Sequence, residues 1–374
     1  MIKRARLAVL ALAALALAVG GIFGPSPASA QEDKYKVFVS VGFEGNTWMD
    51  AAQNLIRAMA KTKAFKDRVD LNMQSARADI QTQIQQVNAM VQGDADIIIL
   101  WPNSRTALNR SIRQACQRGI IVMTFDASVT EPCAYHIGLD QTWAGAGPAE
   151  YLAEELGGKG SIIVMGGYPG HYIDHARTDG AMEVFSAYPE IEVLVHAYSN
   201  WNNAHARQEL TKIVATHGWD NIDGLWTQVG CYMLSQIQVE AGRADQLVPC
   251  AGNGTNGHRI AIAEPGTVPG ALGMKSSSMG SPNWLGAYAL KVAVAYADGG
   301  EEPPRFTQVP MPLVEPGQVV VCTEGTREEL LERNCNTYHP DLGVPPNYFV
   351  DVWHPWVSEL DLFSALEGKV PEGQ

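Results

Sequence analysis

From Lys36 onward, short apolar runs rich in β-branched residues alternate with segments whose apolar positions recur at helical spacing. The runs Val37–Val41, Val69–Met73, Ala95–Leu100 and Ile120–Phe125 read as strands. They begin roughly 25–30 residues apart, the period of a repeated βα unit. Between them, Ile80, Ile84, Val87 and Val91 form one apolar stripe, with Gln81, Gln83, Gln85 and Gln86 expected to face away. Trp48, Ala52, Leu55 and Met59 repeat the arrangement, and Ser104 is placed to cap a helix holding Leu108 and Ile112. The alternation then restarts with Ile162–Met165, Ile191–Val195, Gly224–Thr227 and Leu247–Ala251, followed by Gly270–Met274. Strands this apolar, joined by helices, are buried on both faces and imply parallel sheets with right-handed crossovers.

Two similar series predict an α/β protein of two Rossmann-like lobes joined by a hinge of three strands. The expected lobes are residues 31–138 with 277–312, and residues 139–276. The chain is expected to cross between them around Ile137–Thr142, Met274–Ser278 and Gln308–Leu313. Residues 313–374 read as a crossing strand and an irregular extension packed on the lobes. Tyr338, Tyr348, Phe349, Trp353, Trp356 and Phe363 are too many aromatics for a disordered end.

The first 30 residues carry Lys3, Arg4 and Arg6, then an uncharged apolar run from Leu7 to Phe23, then Ala28-Ser29-Ala30. This layout predicts a secretory signal cleaved after Ala30 and a periplasmic protein. The chain has 27 Lys+Arg and 40 Asp+Glu, and without residues 1–30 its net charge becomes −16. So acidic a surface repels nucleic acid and anionic lipid, which excludes both as expected partners. Six cysteines, Cys116, Cys133, Cys231, Cys250, Cys322 and Cys335, all follow the signal. In an oxidising compartment an even count reads as disulfides. Their spacing suggests three local pairs, Cys116–Cys133, Cys231–Cys250 and Cys322–Cys335, among the fifteen connectivities possible.

In open parallel sheets, ligands bind beyond the carboxyl ends of the strands. The residues there are Phe43, Asn46 and Trp48; Trp101, Pro102 and Asn103; and Asp126. In the second series they are Tyr168, the stretch from His171 to Arg177 with Tyr172 and His175, then Trp201, Asn202, Gln228 and Asn253. Ser276 to Ser278 add hydroxyls near a hinge strand. A sugar presents apolar C–H faces and a rim of hydroxyls. Indoles stack on the former, while Asp, Asn, Gln and Arg satisfy the latter as they lose water. A carboxylate such as Asp126 can accept from two adjacent hydroxyls.

On these residues the chain resembles the type I periplasmic sugar-binding proteins, the ribose/galactose-binding-like family, to about residue 315. The resemblance is carried by Asn46-Thr47-Trp48-Met49, by Ile120 through Asp126, and by His136-Ile137-Gly138-Leu139-Asp140. Arg177-Thr178-Asp179-Gly180 and Gly252-Asn253-Gly254-Thr255 continue it. It implies aromatic sandwiching by Trp48 and Trp201, with hydroxyl contacts from Asn46, Asp126, Asn253 and a residue of the arginine loop. It also implies hinge closure and delivery to an ABC importer permease by a monomeric protein without cofactor. Ala127 stands where ribose binders carry Arg, and Val229-Gly230 replaces their Asn-Asp. These departures point away from ribose, toward another monosaccharide, a sugar alcohol or a cyclitol.

Other signals carry less. Gly252 to Gly257 spells GxGxxG but comes too late for a dinucleotide site, which should open the first βαβ unit. His171, Asp174 and His175 could touch one metal, but loop polarity or ligand contact accounts for them, and no metal is expected. No nucleophile–base pair points to an enzyme. A receptor presenting the same closed form to a sensor kinase or chemoreceptor is the alternative within the binding class. An exported enzyme on this scaffold is the alternative outside it.

Overall fold

The computed structural model describes residues 34–374, so the expected signal segment lies outside the described residues. The first series runs β1 (Tyr35–Val41), α1 (Thr47–Lys61), β2 (Val69–Ser75), α2 (Ile80–Gln92), β3 (Ile97–Trp101), α3 (Asn109–Gln117), β4 (Ile121–Phe125) and β5 (Tyr135–Gly138). The second runs α4 (Gln141–Glu155), β6 (Lys159–Gly166), α5 (Tyr172–Ser186), β7 (Glu190–Tyr198) and α6 (Asn203–His217). It continues through β8 (Gly224–Thr227), α7 (Cys231–Glu240), β9 (Cys250–Asn253), α8 (Asn256–Ile262) and β10 (Ser276–Met279). Then come α9 (Leu285–Ala297), β11 (Phe306–Gln308), β12 (Leu313–Val314), β13 (Val321–Cys322), α10 (Arg327–Arg333), β14 (Thr337–Tyr338) and α11 (Leu362–Glu367).

The first sheet has the order β2-β1-β3-β4-β5-β11 and is parallel throughout. The second has the order β7-β6-β8-β9-β10-β12, parallel except for β12 against β10. Central strands such as β3 are buried along their whole length, as helices on both faces require. The chain passes from one sheet to the other between β5 and α4, between β10 and α9, and between β11 and β12. Among the described residues no helix is long and apolar enough to cross a membrane.

Two local expectations need correction. The strand expected over Gly270–Met274 is irregular, and the last parallel strand of the second sheet begins at Ser276. Gly270 and Gly273 hold φ of 87° and 67°, a left-handed backbone that cannot continue a strand, so the passage to the first sheet falls after Met279. The buried face of α2 is also rotated from the expected stripe. Ile80 is exposed, whereas Gln83 is buried beside Val87, Met90 and Val91. Its amide donates to the Trp101 carbonyl at 2.9 Å and accepts from the Asn103 N–H at 2.8 Å, tying down the carboxyl end of β3. The Ser104 hydroxyl caps a turn at Thr106 and Ala107 that leads into α3.

All three cysteine pairs are bonded as the spacing suggested, with Cα separations of 6.4, 5.7 and 5.6 Å. Residues beyond 315 are bonded to both series. Asn54 of α1 donates to the carbonyls of Ala365 and Leu366 in α11. Asn256 of α8 exchanges two bonds with the backbone of Tyr338. The fully buried Arg259 guanidinium reaches Ser278, the Asn336 carbonyl and both oxygens of Asp351.

Candidate functional site

The carboxyl ends of the two sheets meet at one cavity. From the first series it is lined by Phe43, Asn46, Trp48, Trp101 and Asp126. From the second come Ile173, Arg177, Trp201, Val229 and Asn253. Ser281, on the passage to α9, and Phe349, in the C-terminal extension, complete it.

Each wall is held by its strand end. Asn46 caps α1, accepting from the Met49 N–H at 2.8 Å, and its amide donates to the Trp201 carbonyl at 3.2 Å across the cleft. The Trp48 indole N–H donates to the Ser281 carbonyl at 2.9 Å. Asp126 follows β4 with φ of 56°, and Asn200 and Trp201 follow β7 with φ of 52° and 49°. Non-glycine residues in the left-handed region cost free energy and persist where surrounding structure over-determines them, commonly at ligand sites.

The Asp126 carboxylate accepts from the Trp101 indole N–H at 2.9 Å and from the Gln141 amide at 3.1 Å. Gln141 in turn accepts from Arg177 Nε at 2.8 Å, so one relay links a carboxylate of the first series to a guanidinium of the second. Burial pushes the Asp126 carboxyl above its ordinary range, partly offset by Arg177 and by the bonds from Trp101 and Gln141. Burial likewise lowers Arg177, with Asp126 opposing. The pair leaves a cavity of balanced charge with one strong acceptor and one strong donor.

On the second wall, the Trp201 N–H donates to Gln228 Oε1 at 2.8 Å, and the Gln228 amide donates to Asp174 at 2.8 Å. Asp174 also accepts from the Gly167 N–H at 2.6 Å. A Cβ at Gly167 would stand 1.9 Å from the Trp201 nitrogen, so only glycine admits the indole this close. Trp201 meets Phe43, Trp101 and His171 at ring separations of 6.0, 6.3 and 5.2 Å, and His171 stacks on Trp101 at 4.9 Å. Rings from both series thus close one side of the cavity. No ring contact joins Trp48 to Trp201 among the described residues, although both line the cavity.

Of the residues expected from sequence, Phe43, Asn46, Trp48, Trp101, Asp126, Arg177, Trp201 and Asn253 converge on the cavity. Tyr172, His175, Gln228 and Ser276 do not line it, nor do Pro102, Asn103, Tyr168, His171, Asn202, Ser277 and Ser278. Tyr172 bonds the backbone on either side of Ala127, its hydroxyl donating to the Asp126 carbonyl and accepting from the Ser128 N–H. Gln228 holds Trp201 from behind. His175 points to solvent on α5. Ser276 is buried in β10, bonded to the Cys250 carbonyl and to His258. Ile173, Val229, Ser281 and Phe349 line the cavity but were not among the expected site residues. Ile173 lies one turn before Arg177 on α5, whereas nothing local marks Phe349.

A family model described as a periplasmic binding protein domain matches residues 37–302. The chain is 30% identical over 194 residues to a xylitol-binding protein of Mycolicibacterium smegmatis, covering 51% of this chain and 55% of that one. It spans about half the length of the curated relatives it matches first. In fold it is similar to an ABC transporter periplasmic solute binding protein from Actinobacillus succinogenes with bound D-allose. There the TM-score is 0.63 at 22% identity, over 76% of this chain and 99% of the other. A solute binding protein from Bacillus halodurans with bound myo-inositol gives a TM-score of 0.64 at 19% identity, over 78% and 96%.

Proposed function

Because the chain belongs to the periplasmic binding protein domain family, we propose that it captures a small polyhydroxylated molecule by closing two lobes around it. The ligand is a monosaccharide, sugar alcohol or cyclitol, and the closed form delivers it to the permease of an ABC importer. The observation that carries this reading is the cavity itself. Phe43, Trp48, Trp101 and Trp201 offer apolar faces around Asp126, Arg177, Asn46 and Asn253, drawn from both sheets. Apolar C–H faces and a hydroxyl rim are the surface that this mixture complements. The relatives' ligands, xylitol, D-allose and myo-inositol, belong to that chemical class.

The three passages between the sheets serve as the hinge, dividing the chain into one lobe built on each sheet. The protein works as a soluble periplasmic monomer after removal of residues 1–30. Binding without chemistry fits the site, since both Asp126 oxygens are engaged by Trp101 and Gln141 rather than by a nucleophile. A thermal-shift screen over aldoses, alditols and inositols tests the proposal. A ligand at a hundred times its Kd stabilises the folded state by about 2.7 kcal/mol. Absence of any shift across the three classes at millimolar concentration refutes the polyol reading.

A further inference from the structure

The family model ends at residue 302, and the D-allose complex aligns over 99% of its own length but only 76% of this chain. The extension beyond Glu315 therefore lies outside the residues matched by the family model, yet it reaches the cavity. Phe349 is buried and is the extension's contribution to the cavity lining.

Its position is fixed from three directions. The Thr47 hydroxyl at the start of α1 donates to the Asn347 carbonyl at 2.7 Å. Asn283, on the passage from β10 to α9, donates to the carbonyl of Phe349 itself at 3.3 Å. From the second sheet's side, the Asn256 N–H donates to the Tyr348 carbonyl at 2.8 Å, and Thr255 pairs with Phe349 in an antiparallel bridge. The ring therefore sits on backbone bonded to the first series, to the hinge passage and to the second series. Such fixing is what a rigid wall needs and what a loosely draped tail lacks.

Resting on the polyol reading, we propose that Phe349 is a specificity-determining residue. The extension inserts this ring as the hinge-side end wall of the ligand site, and its bulk sets the longest carbon skeleton the closed site accepts. The same cavity without this wall would admit a larger ligand.

The test compares wild type, Phe349→Leu and Phe349→Ala by calorimetry against alditols and aldoses of five, six and seven carbons. Phe363→Ala, altering a half-exposed ring of α11 in the same extension, is the control. Circular dichroism and intact mass under non-reducing conditions verify that each variant is folded and retains its disulfides. The expected result is a shift of at least tenfold in relative affinity toward the longer ligands in Phe349→Ala. Phe349→Leu is expected to lie between it and wild type, with Phe363→Ala unchanged. An unchanged preference in folded Phe349→Leu and Phe349→Ala overturns the inference while leaving the polyol reading intact. Failure of the wild type to bind any member of the panel refutes that reading and the inference with it.

Discussion

Replacing Asp126 by Asn probes the polar half of the site with the fewest changed atoms. Both carboxylate oxygens accept from the protein, one from the Trp101 N–H at 2.9 Å and the other from the Gln141 amide at 3.1 Å. An amide in this place has one acceptor and one donor, so either Trp101 or Gln141 must face a donor. The ligand meanwhile loses a charged acceptor for its hydroxyls. Hydrogen bonds to charged groups contribute about 1.5–3 kcal/mol, so Asp126→Asn should weaken binding roughly 10- to 150-fold. The fold should survive, because relief of a buried carboxylate opposes the cost of the mismatched donor. The pH profile adds a second readout. Burial raises the Asp126 pKa, so wild-type affinity is full while the group is ionised and falls as pH drops through that raised value. In Asp126→Asn this descent should be absent. Calorimetric titration of both proteins across pH, with a ligand taken from the thermal-shift screen, gives the answer. Affinity within threefold of wild type, or an unchanged pH profile, would refute the reasoning.

Burial of His136, His171 and His258 holds each neutral down to about 4, from an ordinary 6.5. The unfolded chain gains those protons first, so their contribution is present above pH 6.5 and is lost as pH falls toward 4. Each contributes up to about 3 kcal/mol. His258→Gln should therefore flatten the decline of denaturant-measured stability over that window, and an unaltered slope would contradict the assignment. Asp351→Ala strips the fully buried Arg259 of its carboxylate, a loss of about 3–5 kcal/mol. Because Asp351 lies in the extension, much of that loss should appear as faster limited proteolysis of residues 315–374. Resistance equal to wild type would show that the ion pair does not hold the extension.

How much could be read in advance depended on the range of the interaction. Strands β1, β3, β4 and β8 were legible because burial on both faces forces continuous apolar runs, as in Ile97–Trp101. The cysteine pairs were legible because each closes only 13 to 19 residues. Gly270–Met274 misled because its apolar character suggested a strand that two left-handed glycines forbid. Gln83 misled because polarity alone placed it outward, whereas the end of β3 needs an amide to satisfy its backbone. In the site, Phe43, Asp126 and Trp201 converged because they follow strands that all end at the same edge. Ser276 did not, since its hydroxyl is consumed inside the sheet by Cys250 and His258. Phe349 was hidden for the opposite reason. It reaches the cavity because Asn283 and Thr255 bond its own backbone and Thr47 bonds that of Asn347 two residues before it, at separations of up to 300 residues, and no local period encodes such contacts.

A crystal structure grown with the first polyol that raises the thermal midpoint tests the central claim most directly. The account predicts one ligand in the cavity, its hydroxyls bonded to Asp126 and Arg177 and its apolar face against Trp48 or Trp201. Density for the ligand anywhere else, with this cavity empty, would contradict it.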